Sequence, residues 1–301
     1  MIDTEVMMRV NHLLGSSEIS VLRLDHPPGT EHLDSEEEVC ANYAVNFVEA
    51  GSFGLSAGLK SWTLSPGDLF LSCPGTVHRY THHETAPSDI CVSVIYSGSF
   101  VQEIDRADHF TSTKVPVAMP PTNRLAFLRL RLTQLTSDGY SLALEDWACE
   151  LLSAICVVSP SGNRLYRPSQ LCWYAERVEA VRECFESRYA ETHSLTSIAR
   201  SVGMSPFQFA RVFSELTGQP PHRYLLGVRL DRAAKMLLDG KPVTETCFDV
   251  GFSNLSHFTR SFHRRFGCLP SAVKCRRHPE GVESPGGLPH HRKNEPLRRH
   301  N

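Results

Sequence analysis

The stretch VGFSNLSHFTRSFHRRFG, residues 250–267, decides how the C-terminal half of this chain folds. Phe258, Phe262 and Phe266 recur every four residues, and this spacing places them on one face of an α-helix. The remaining positions carry mostly hydrogen-bond donors, namely Ser256, Thr259, Arg260, His263 and Arg264. The pattern predicts an amphipathic helix. Its phenylalanines pack against its own domain, and its polar face is open to a partner or to solvent.

A second copy of this pattern lies upstream. Residues 195–218 read LTSIARSVGMSPFQFARVFSELTG, and residues 243–267 read VTETCFDVGFSNLSHFTRSFHRRFG. The V-G-x-S turn, the F-x-R-x-F segment and the final glycine recur in the same order in both copies. A repeat on this scale indicates a supersecondary unit that occurs twice.

Both copies carry the signals of a helix, a tight turn and a second helix. Gly203 and Gly251 lie where a left-handed residue ends the first helix at little energetic cost. Ser205 is a good N-cap for the following helix, and Ser253 or Asn254 is the N-cap in the second copy. The sequence therefore predicts two helix-turn-helix units.

One long helix is predicted between the two units, from residue 221 to residue 238, with Gly240 beyond its end. At about 1.5 Å per residue it is roughly 27 Å long. Successive turns of the major groove of B-DNA are about 34 Å apart. A rod of this length suits two recognition helices that enter neighbouring major-groove segments.

Residues 229–274, from RLDRAAKMLL to the SAVK that follows the second copy, resemble the DNA-binding domain of the AraC/XylS family of bacterial transcription regulators. The V-G-F-S, F-x-R-x-F and R-R-F-G-x-x-P elements carry the resemblance. One departure is Thr246, because the family usually has isoleucine at this core position, and we expect poorer packing there. The resemblance implies that the DNA-binding domain spans residues 171–275, with its first helix at about residues 171–189.

In this family, bases are contacted from the early and middle parts of each recognition helix. The resemblance implies base contacts from Phe207, Gln208, Ala210 and Arg211 in the first unit and from Leu255, Ser256, Thr259 and Arg260 in the second. Arginine can hold guanine O6 and N7 with two hydrogen bonds, and apolar groups can pack on thymine methyls. Arg264, Arg265 and Lys274 are better placed for phosphates. For any one of these side chains, the alternative is a solvated surface role.

Residues 40–100 read as short strands between Gly and Pro turns: YAVNFVEAG, SFGLSAGL, SWTL, DLFLSC and ICVSVIY. At residues 64–80 the pattern L-x-P-G-D-L-F-L-x-x-P-G-x-x-H-x-Y resembles the cupin-like barrel that senses effectors in AraC-type regulators. By analogy with sugar-sensing members, the effector pocket draws on Asn46, His78 and Tyr80, with Val92 and Val94 opposite. Ala50 stands where those members have a sugar-binding arginine, which favours a small-molecule effector less polar than arabinose.

Two other uses of this domain compete with effector sensing: a cupin metal enzyme, and a soft-metal or thiol sensor. The residues in question are His78, His82, His83 and Glu84 for the enzyme, and Cys40, Cys73 and Cys91 for the sensor. His82 and His83 are adjacent and point to opposite faces of a strand, so we expect them in an exposed turn. Buried structural cysteines are the favoured interpretation of the thiols. We expect no metal, no cofactor and no catalytic residue.

Residues 122–158 predict two helices around a Ser-Asp-Gly turn at residues 137–139. Their apolar positions are Leu125, Leu128, Leu132 and Leu135, then Leu144, Trp147, Leu151 and Ile155. In relatives such a pair mediates dimerisation, whereas the alternative is that both helices pack under the barrel. The predicted domains are therefore a barrel at residues 1–115, a helical segment at 116–158, a linker at 159–170, the DNA-binding domain and a disordered basic tail at 276–301.

Charge is divided unevenly along the chain. Residues 1–170 carry 11 Lys and Arg against 20 Asp and Glu, whereas residues 194–301 carry 17 against 8. Only the second part therefore suits a polyanion. No apolar run approaches the ~18 residues that span a membrane, and the first residues do not resemble a signal peptide. These features, with ten cysteines and no C-x-x-C pair, predict a cytoplasmic protein with no membrane partner.

The sequence thus predicts an α+β multidomain chain, in which a cupin-like β-barrel with a helical hairpin precedes an all-α domain with two helix-turn-helix units. The predicted function is sequence-specific DNA binding in transcription regulation in response to a small effector, and the sequence does not decide between an activator and a repressor. RNA polymerase and a second copy of the chain are the further partners that the resemblance implies.

Overall fold

The computed structural model describes residues 8–26, 37–82, 88–104, 117–139, 142–156 and 164–273. The chain forms two compact units, residues 1–226 and residues 227–301. Lys274, the predicted basic tail and residues 159–163 of the predicted linker lie outside the described residues. No helix within the described ranges is long and apolar enough to cross a membrane.

The first unit contains two antiparallel β-sheets. The strands are β1 Arg9–Gly15, β2 Ile19–His26, β3 Glu38–Val39, β4 Tyr43–Ala50, β5 Phe53–Ala57, β6 Lys60–Leu64, β7 Leu69–Ser72, β8 Val77–Thr81, β9 Asp89–Tyr96 and β10 Val117–Met119. The first sheet has the order β1-β2-β9-β4-β7-β10, and the second has the order β3-β8-β5-β6. The five predicted strand segments are confirmed as β4, β5, β6, β7 and β9. Strand pairing does not close the two sheets into one barrel within the residues that are described.

The register of the first sheet decides which side chains face the second sheet. Asn46 of β4 lies opposite Ser93 of β9, whereas Val45 lies opposite Val94. Residues directly opposite each other share a face of the sheet. The inner face therefore carries Asn46 and Ser93, and it continues into an apolar cluster made by both sheets, consisting of Val48, Phe53, Leu55, Leu64, Phe70 and Cys91.

Nine helices follow or interrupt these strands in the described residues. They are α1 Gly98–Ile104, α2 Asn123–Asp138, α3 Leu142–Cys156, α4 Pro168–Ser187, α5 Leu195–Ser201, α6 Pro206–Thr217, α7 Pro221–Leu238, α8 Val243–Asp249 and α9 Leu255–Phe266, with a 3-10 turn at Pro270–Ala272. The predicted hairpin is confirmed as α2 and α3, and α4 begins three residues earlier than expected because Pro168 starts it. The all-α C-terminal part is likewise confirmed.

The hairpin packs under the outer face of the first sheet. Seven of its eight predicted apolar residues are buried there: Leu125, Leu128, Leu132, Leu144, Trp147, Leu151 and Ile155. Leu135 is partly buried against the same core. Trp147 also donates its indole N–H to the backbone carbonyl of Leu128 at 2.9 Å, which fixes α3 on α2. These apolar side chains therefore serve packing within the chain.

The first helix-turn-helix unit consists of α5 and α6 on the supporting helix α4. Gly203 has a φ of 68° in the turn, and the side chain of Ser205 caps α6 by accepting from the backbone N–H of Gln208 at 3.3 Å. The core of this unit also contains Phe127, which α2 contributes and which is completely buried. Burial of one such side chain contributes about 1.5–3 kcal/mol. Helix α2 is therefore part of two cores.

The second helix-turn-helix unit consists of α8 and α9. Gly251 has a φ of 83°, and Asn254, not Ser253, caps α9 by accepting from the backbone N–H of His257 at 3.0 Å. Phe258 and Phe262 are buried as predicted. The expectation for Phe266 was wrong: it is 38% exposed, because it ends the helix and rests mainly on the ring of Phe262, 4.5 Å between centroids.

Candidate nucleic-acid interface and effector site

Helix α6 has an open face that carries three of its four predicted base-contact residues. Phe207 is 82% exposed, Arg211 is exposed and Ala210 is half-buried between them. Gln208 is placed differently, because its Nε2 donates to the hydroxyl of Tyr174 on α4 at 3.2 Å. The structure thus groups Phe207, Ala210 and Arg211 and turns Gln208 toward the supporting helix.

A cavity of about 350 Å³ borders Arg211. It is lined by Arg164, Leu165, Tyr166, Arg167, Gln170, Arg211 and Glu215. Three of these residues are cationic and one is anionic, so the net charge of the lining is positive. A positive concave surface beside a recognition helix suits a DNA phosphate. Arg164 and Arg167 escaped prediction, because the Ser, Pro and Gly residues of this segment indicate only a linker.

Helix α9 exposes its N-terminal half, the part of a recognition helix that contacts base edges. Leu255 is 39% exposed, Ser256 and Arg260 are exposed, and Thr259 is half-buried. Arg260 donates its Nε–H to the backbone carbonyl of Ser256 at 3.3 Å, so its guanidinium lies along the start of the helix. The four predicted residues therefore lie on one accessible surface, and their contacts with bases stay a prediction.

The predicted phosphate contacts in the last turn of α9 differ in their surroundings. Arg264 is exposed. Arg265 is held by Asp231 of α7 through two hydrogen bonds of 2.8 and 2.7 Å. Such a two-pronged pair fixes the guanidinium plane, so Arg265 links α9 to α7. Lys274 is outside the described residues.

The inner face between the sheets contains a buried polar group around Asn46. The amide of Asn46 donates to Ser72 Oγ at 3.1 Å and to the carbonyl of Phe70 at 3.3 Å, and it accepts from Ser93 Oγ at 2.7 Å. Tyr80 packs on the same face, 6.2 Å from Phe70 between ring centroids. Burial raises the pKa of Tyr80 well above its usual range, so the phenol is neutral.

His78 is next to Tyr80, 4.7 Å away between ring centroids, and is buried. The structure therefore places three of the five predicted effector residues on the inner face, namely Asn46, His78 and Tyr80. Val92 and Val94 are not with them, because they lie in the core between the first sheet and the helical hairpin. The sheet register puts these two valines on the opposite face, which corrects the predicted grouping.

His78 forms a pair with Cys40. The distance from Cys40 Sγ to His78 Nδ1 is 3.2 Å, and Glu38 Oε2 lies 3.8 Å from the other ring nitrogen. Burial opposes ionisation of the Cys40 thiol, but hydrogen bonds with His78 and Thr76 outweigh it and lower its pKa. The hydrogen bond with Cys40 raises the pKa of His78 in spite of its burial. Each member of the pair therefore shifts the pKa of the other in the direction of its charged form.

The other two cysteines of interest have different surroundings. Cys73 lies in the core on the hairpin side of the first sheet, and Cys91 lies in the apolar cluster between the sheets. Burial raises the pKa of Cys91 to about 12. A buried neutral thiol behaves as a small apolar side chain. For Cys91 the structural interpretation therefore fits.

A second titratable cluster, which no sequence pattern indicates, lies at the far end of β8. His82 was expected in an exposed turn, which is wrong: its side chain is 16% exposed and its Nε2 is 3.3 Å from Asp89 Oδ2. His26 Nδ1 is 2.8 Å from Asp89 Oδ1. Burial opposes ionisation of Asp89, but hydrogen bonds from both histidines hold its pKa well below the usual range. His83 and Glu84 lie outside the described residues.

One buried contact joins the hairpin to the first recognition helix. Asn123, the first residue of α2, donates its amide to Glu215 Oε1 on α6 at 2.6 Å and accepts from the backbone N–H of Tyr166 at 2.8 Å. The hydroxyl of Tyr166 donates to Glu215 Oε2 at 2.5 Å. Burial and this hydrogen bond raise the pKa of Tyr166 well above its usual range.

Comparisons with known proteins agree with this architecture. A family model described as an AraC-like ligand binding domain matches residues 31–151, and one described as a helix-turn-helix domain matches residues 198–276. The chain is 33% identical over 235 residues to the thermoregulatory protein LcrF of Yersinia pestis, covering 76% of this chain and 78% of that protein.

A further relative is the uncharacterized HTH-type transcriptional regulator YbfI of Bacillus subtilis, 26% identical over 220 residues, covering 71% of this chain and 78% of that protein. Among solved structures, ToxT of Vibrio cholerae covers 85% of this chain and 96% of that chain, with 11% identity and a TM-score of 0.33. The two family models and the similarity to LcrF show that the chain belongs to the AraC family of DNA-binding transcription regulators, with an N-terminal ligand-binding domain.

Proposed function

We propose that this regulator reads DNA with both recognition helices, and that a small effector bound between the two sheets changes this reading through helix α2. The observation that supports the route is the buried contact of Asn123 with Glu215 and Tyr166. One side chain of the ligand-binding half thereby contacts both the linker and the first recognition helix. A buried hydrogen-bond group left without its partner costs about 1–3 kcal/mol, so α2 and α6 are expected to move together.

Helix α2 is also tied to the sheet that carries Asn46. Glu49 of β4 forms ion pairs with Arg129 of α2 and, at 3.1 Å, with Arg23 of β2. On one side of α2, Leu128 packs in the sheet core, while on another Phe127 packs against the helices of the first helix-turn-helix unit. Because protein interiors are close-packed, a displacement of the sheet is transmitted through α2 to α6.

The supporting helix α4 is held by the same hairpin. Arg182 of α4, whose side chain is 10% exposed, pairs with Glu150 of α3 at 3.3 Å and with Glu179 at 3.2 Å. Arg131 of α2 pairs with the same two carboxylates. Removing one member of a buried ion network leaves an uncompensated charge, so the hairpin and α4 form a stiff support for α6.

Hydrogen exchange tests this route before the effector is known, because coupling between two binding sites is reciprocal. DNA bound to the recognition helices must then slow amide exchange in α2. The full chain is compared with and without a selected operator by mass spectrometry, as wild type, as Asn123→Ala and as Gln134→Ala. Gln134 is the control because it lies on the exposed side of α2.

We expect DNA to slow exchange in α2 of the wild type and of Gln134→Ala, and to have little effect on α2 in Asn123→Ala. Exchange in α2 that is the same with and without DNA in the wild type would contradict the proposed route. An α2 response to DNA in Asn123→Ala that equals the wild-type response would show that Asn123 does not carry the coupling.

The remaining properties are proposed from the family and from the predicted function. The regulator acts in the cytoplasm, where bacterial DNA lies, contacts RNA polymerase, and catalyses no reaction, in keeping with relatives named as regulators. The regulator also forms a homodimer. Its interface uses exposed residues such as Asp146 and Ser153 of α3, because the leucines of the hairpin are buried within the chain. Analytical ultracentrifugation of Asp146→Arg against the wild type tests this interface. The proposed domain boundaries are at residues 115 and 158, and the linker ends at residue 167 instead of 170 because α4 begins at Pro168.

A further inference from the structure

Two histidines and one aspartate from both sheets meet at the end of β8 that is distant from His78. His26 ends β2 and lies opposite Asp89, the first residue of β9, so their side chains share a face of the first sheet. His82 follows β8 in the second sheet. One ligand atom from each of the three residues lies within 4.8 Å of the others.

The surrounding structure holds these side chains in place. The Asp89 side chain is 6% exposed, and those of His26 and His82 are 18% and 16% exposed. The ring of Phe53 stacks on His82 at 5.7 Å between centroids. Gly51, with a φ of +72°, lets the backbone approach, because a Cβ at this position would be 2.7 Å from the Cα of Asp89.

We propose that His26, His82 and Asp89 bind one divalent transition-metal ion of the zinc type. Two imidazoles and one carboxylate are a ligand set that Zn²⁺ uses in proteins, with water in the fourth position. Nitrogen ligands disfavour Mg²⁺ and Ca²⁺, which prefer oxygen. The proposal does not depend on the effector route through α2.

One distance between ligand atoms equals the separation that a tetrahedral ion requires, and one atom from each of the three residues lies within 4.8 Å of the others. Two atoms at 2.0–2.1 Å from such an ion are about 3.3 Å apart. His82 Nε2 and Asp89 Oδ2 are 3.3 Å apart, and His26 Nδ1 and Asp89 Oδ1 are 2.8 Å apart. On binding, each imidazole presents an unprotonated ring nitrogen to the ion in place of an N–H that faces the carboxylate.

A bound ion links the two sheets. His26 and Asp89 belong to the first sheet, and His82 follows the strand of the second sheet that also carries Tyr80 and His78. The ion therefore fixes the spacing of the sheets at one end of the inner face. Because it binds the folded chain and not the dispersed ligands of the unfolded chain, it raises the unfolding temperature.

The test titrates the full chain, first stripped of metal by a chelator, with Co²⁺ and then with competing Zn²⁺. Visible ligand-field absorption of Co²⁺ reports a tetrahedral site, and a thermal scan reports stabilisation by Zn²⁺. The variant His82→Gln keeps an N–H donor toward Asp89 but removes an imidazole ligand. His12→Gln is the matched control, since His12 is an exposed histidine of β1 in the same sheet as His26.

We expect the wild type and His12→Gln to develop the tetrahedral Co²⁺ spectrum with one ion per chain, and Zn²⁺ to abolish it and raise the unfolding temperature. His82→Gln should bind more than about tenfold more weakly, without the rise in unfolding temperature. If His82→Gln does not fold by circular dichroism, His26→Gln replaces it. A wild type without the spectrum, or a folded ligand variant that binds as tightly as the wild type, overturns the proposal.

Discussion

Replacement of Thr246 by valine should stabilise the second helix-turn-helix unit. Thr246 of α8 is completely buried, and its hydroxyl has no hydrogen-bond partner among the described residues. A buried hydroxyl without a partner costs about 1–3 kcal/mol. Valine has nearly the same shape and no hydroxyl, so it opens no cavity. We therefore expect the free energy of unfolding of this unit to rise by about 1–2 kcal/mol.

Thr217 provides a matched control with the opposite expected sign. Thr217 ends α6, is 4% exposed and donates its hydroxyl to the backbone carbonyl of Phe213 at 2.7 Å. Thr217→Val removes a satisfied hydrogen bond, which should lower the free energy of unfolding by about 0.5–1.5 kcal/mol. The same chemical change then has opposite effects, because only one of the two hydroxyls has a partner.

Native-state hydrogen exchange measures the stability of the two units separately. For Thr246→Val we expect the slowest amides of α8 and α9 to exchange about 5–30-fold more slowly, the factor that corresponds to 1–2 kcal/mol. DNA affinity should not change, because Thr246 is remote from solvent. Faster exchange in Thr246→Val than in the wild type would refute the claim that this hydroxyl is unsatisfied.

Two further predictions concern charge. Arg264→Ala should reduce the slope of log affinity for DNA against log salt by about 0.9, whereas Arg265→Ala should leave it near the wild-type value because Asp231 holds that guanidinium. Fluorescence anisotropy over a salt series measures both slopes, and equal losses would contradict the assignment. The Cys40 thiol should react with iodoacetamide at a lower pH than an ordinary cysteine. The reason is that hydrogen bonds with His78 and Thr76 outweigh burial and lower the pKa of this thiol. The variant His78→Asn should raise the pH at which the reaction rate is half-maximal. Peptide mass spectrometry gives these rates, and an unchanged half-maximal pH would count against the Cys40–His78 pair.

The helix-turn-helix units could be predicted because their signals are local. A glycine in the turn, a capping side chain and apolar residues at helical spacing all lie within each copy of the repeat. The presence of Thr246 where the family usually has isoleucine could be seen in the sequence for the same reason. Even so, spacing alone could not show that Phe266 is exposed, because exposure depends on where the core of the unit ends.

The orientation of the sheet residues could not be predicted with the same success. Strand β9 is buried on both faces, so the alternation in ICVSVIY does not tell which side chains point inward. The pairing of Asn46 with Ser93 shows which side chains of β9 point inward, and this pairing depends on the order of strands in the sheet. Strand β1 escaped prediction because most of its residues are exposed and show no apolar alternation.

Contacts between residues distant in sequence were also missed. His26 and Asp89 are 63 positions apart, and Arg265 and Asp231 are 34 apart. In the sequence, Arg265 is one of two adjacent arginines and is indistinguishable from a phosphate contact. Only the packing of α9 on α7 shows that one arginine is engaged within the chain and that its neighbour is exposed.

Selection of genomic DNA fragments by the full-length protein, followed by sequencing, tests most directly the claim that both recognition helices read DNA. The wild type is compared with Arg211→Ala and Arg260→Ala, one exposed arginine from each helix. We expect a motif with two segments about 10–10.5 base pairs apart, in which each variant relaxes a different segment. Binding that depends on salt but yields no motif, or a motif that neither variant changes, would contradict the account.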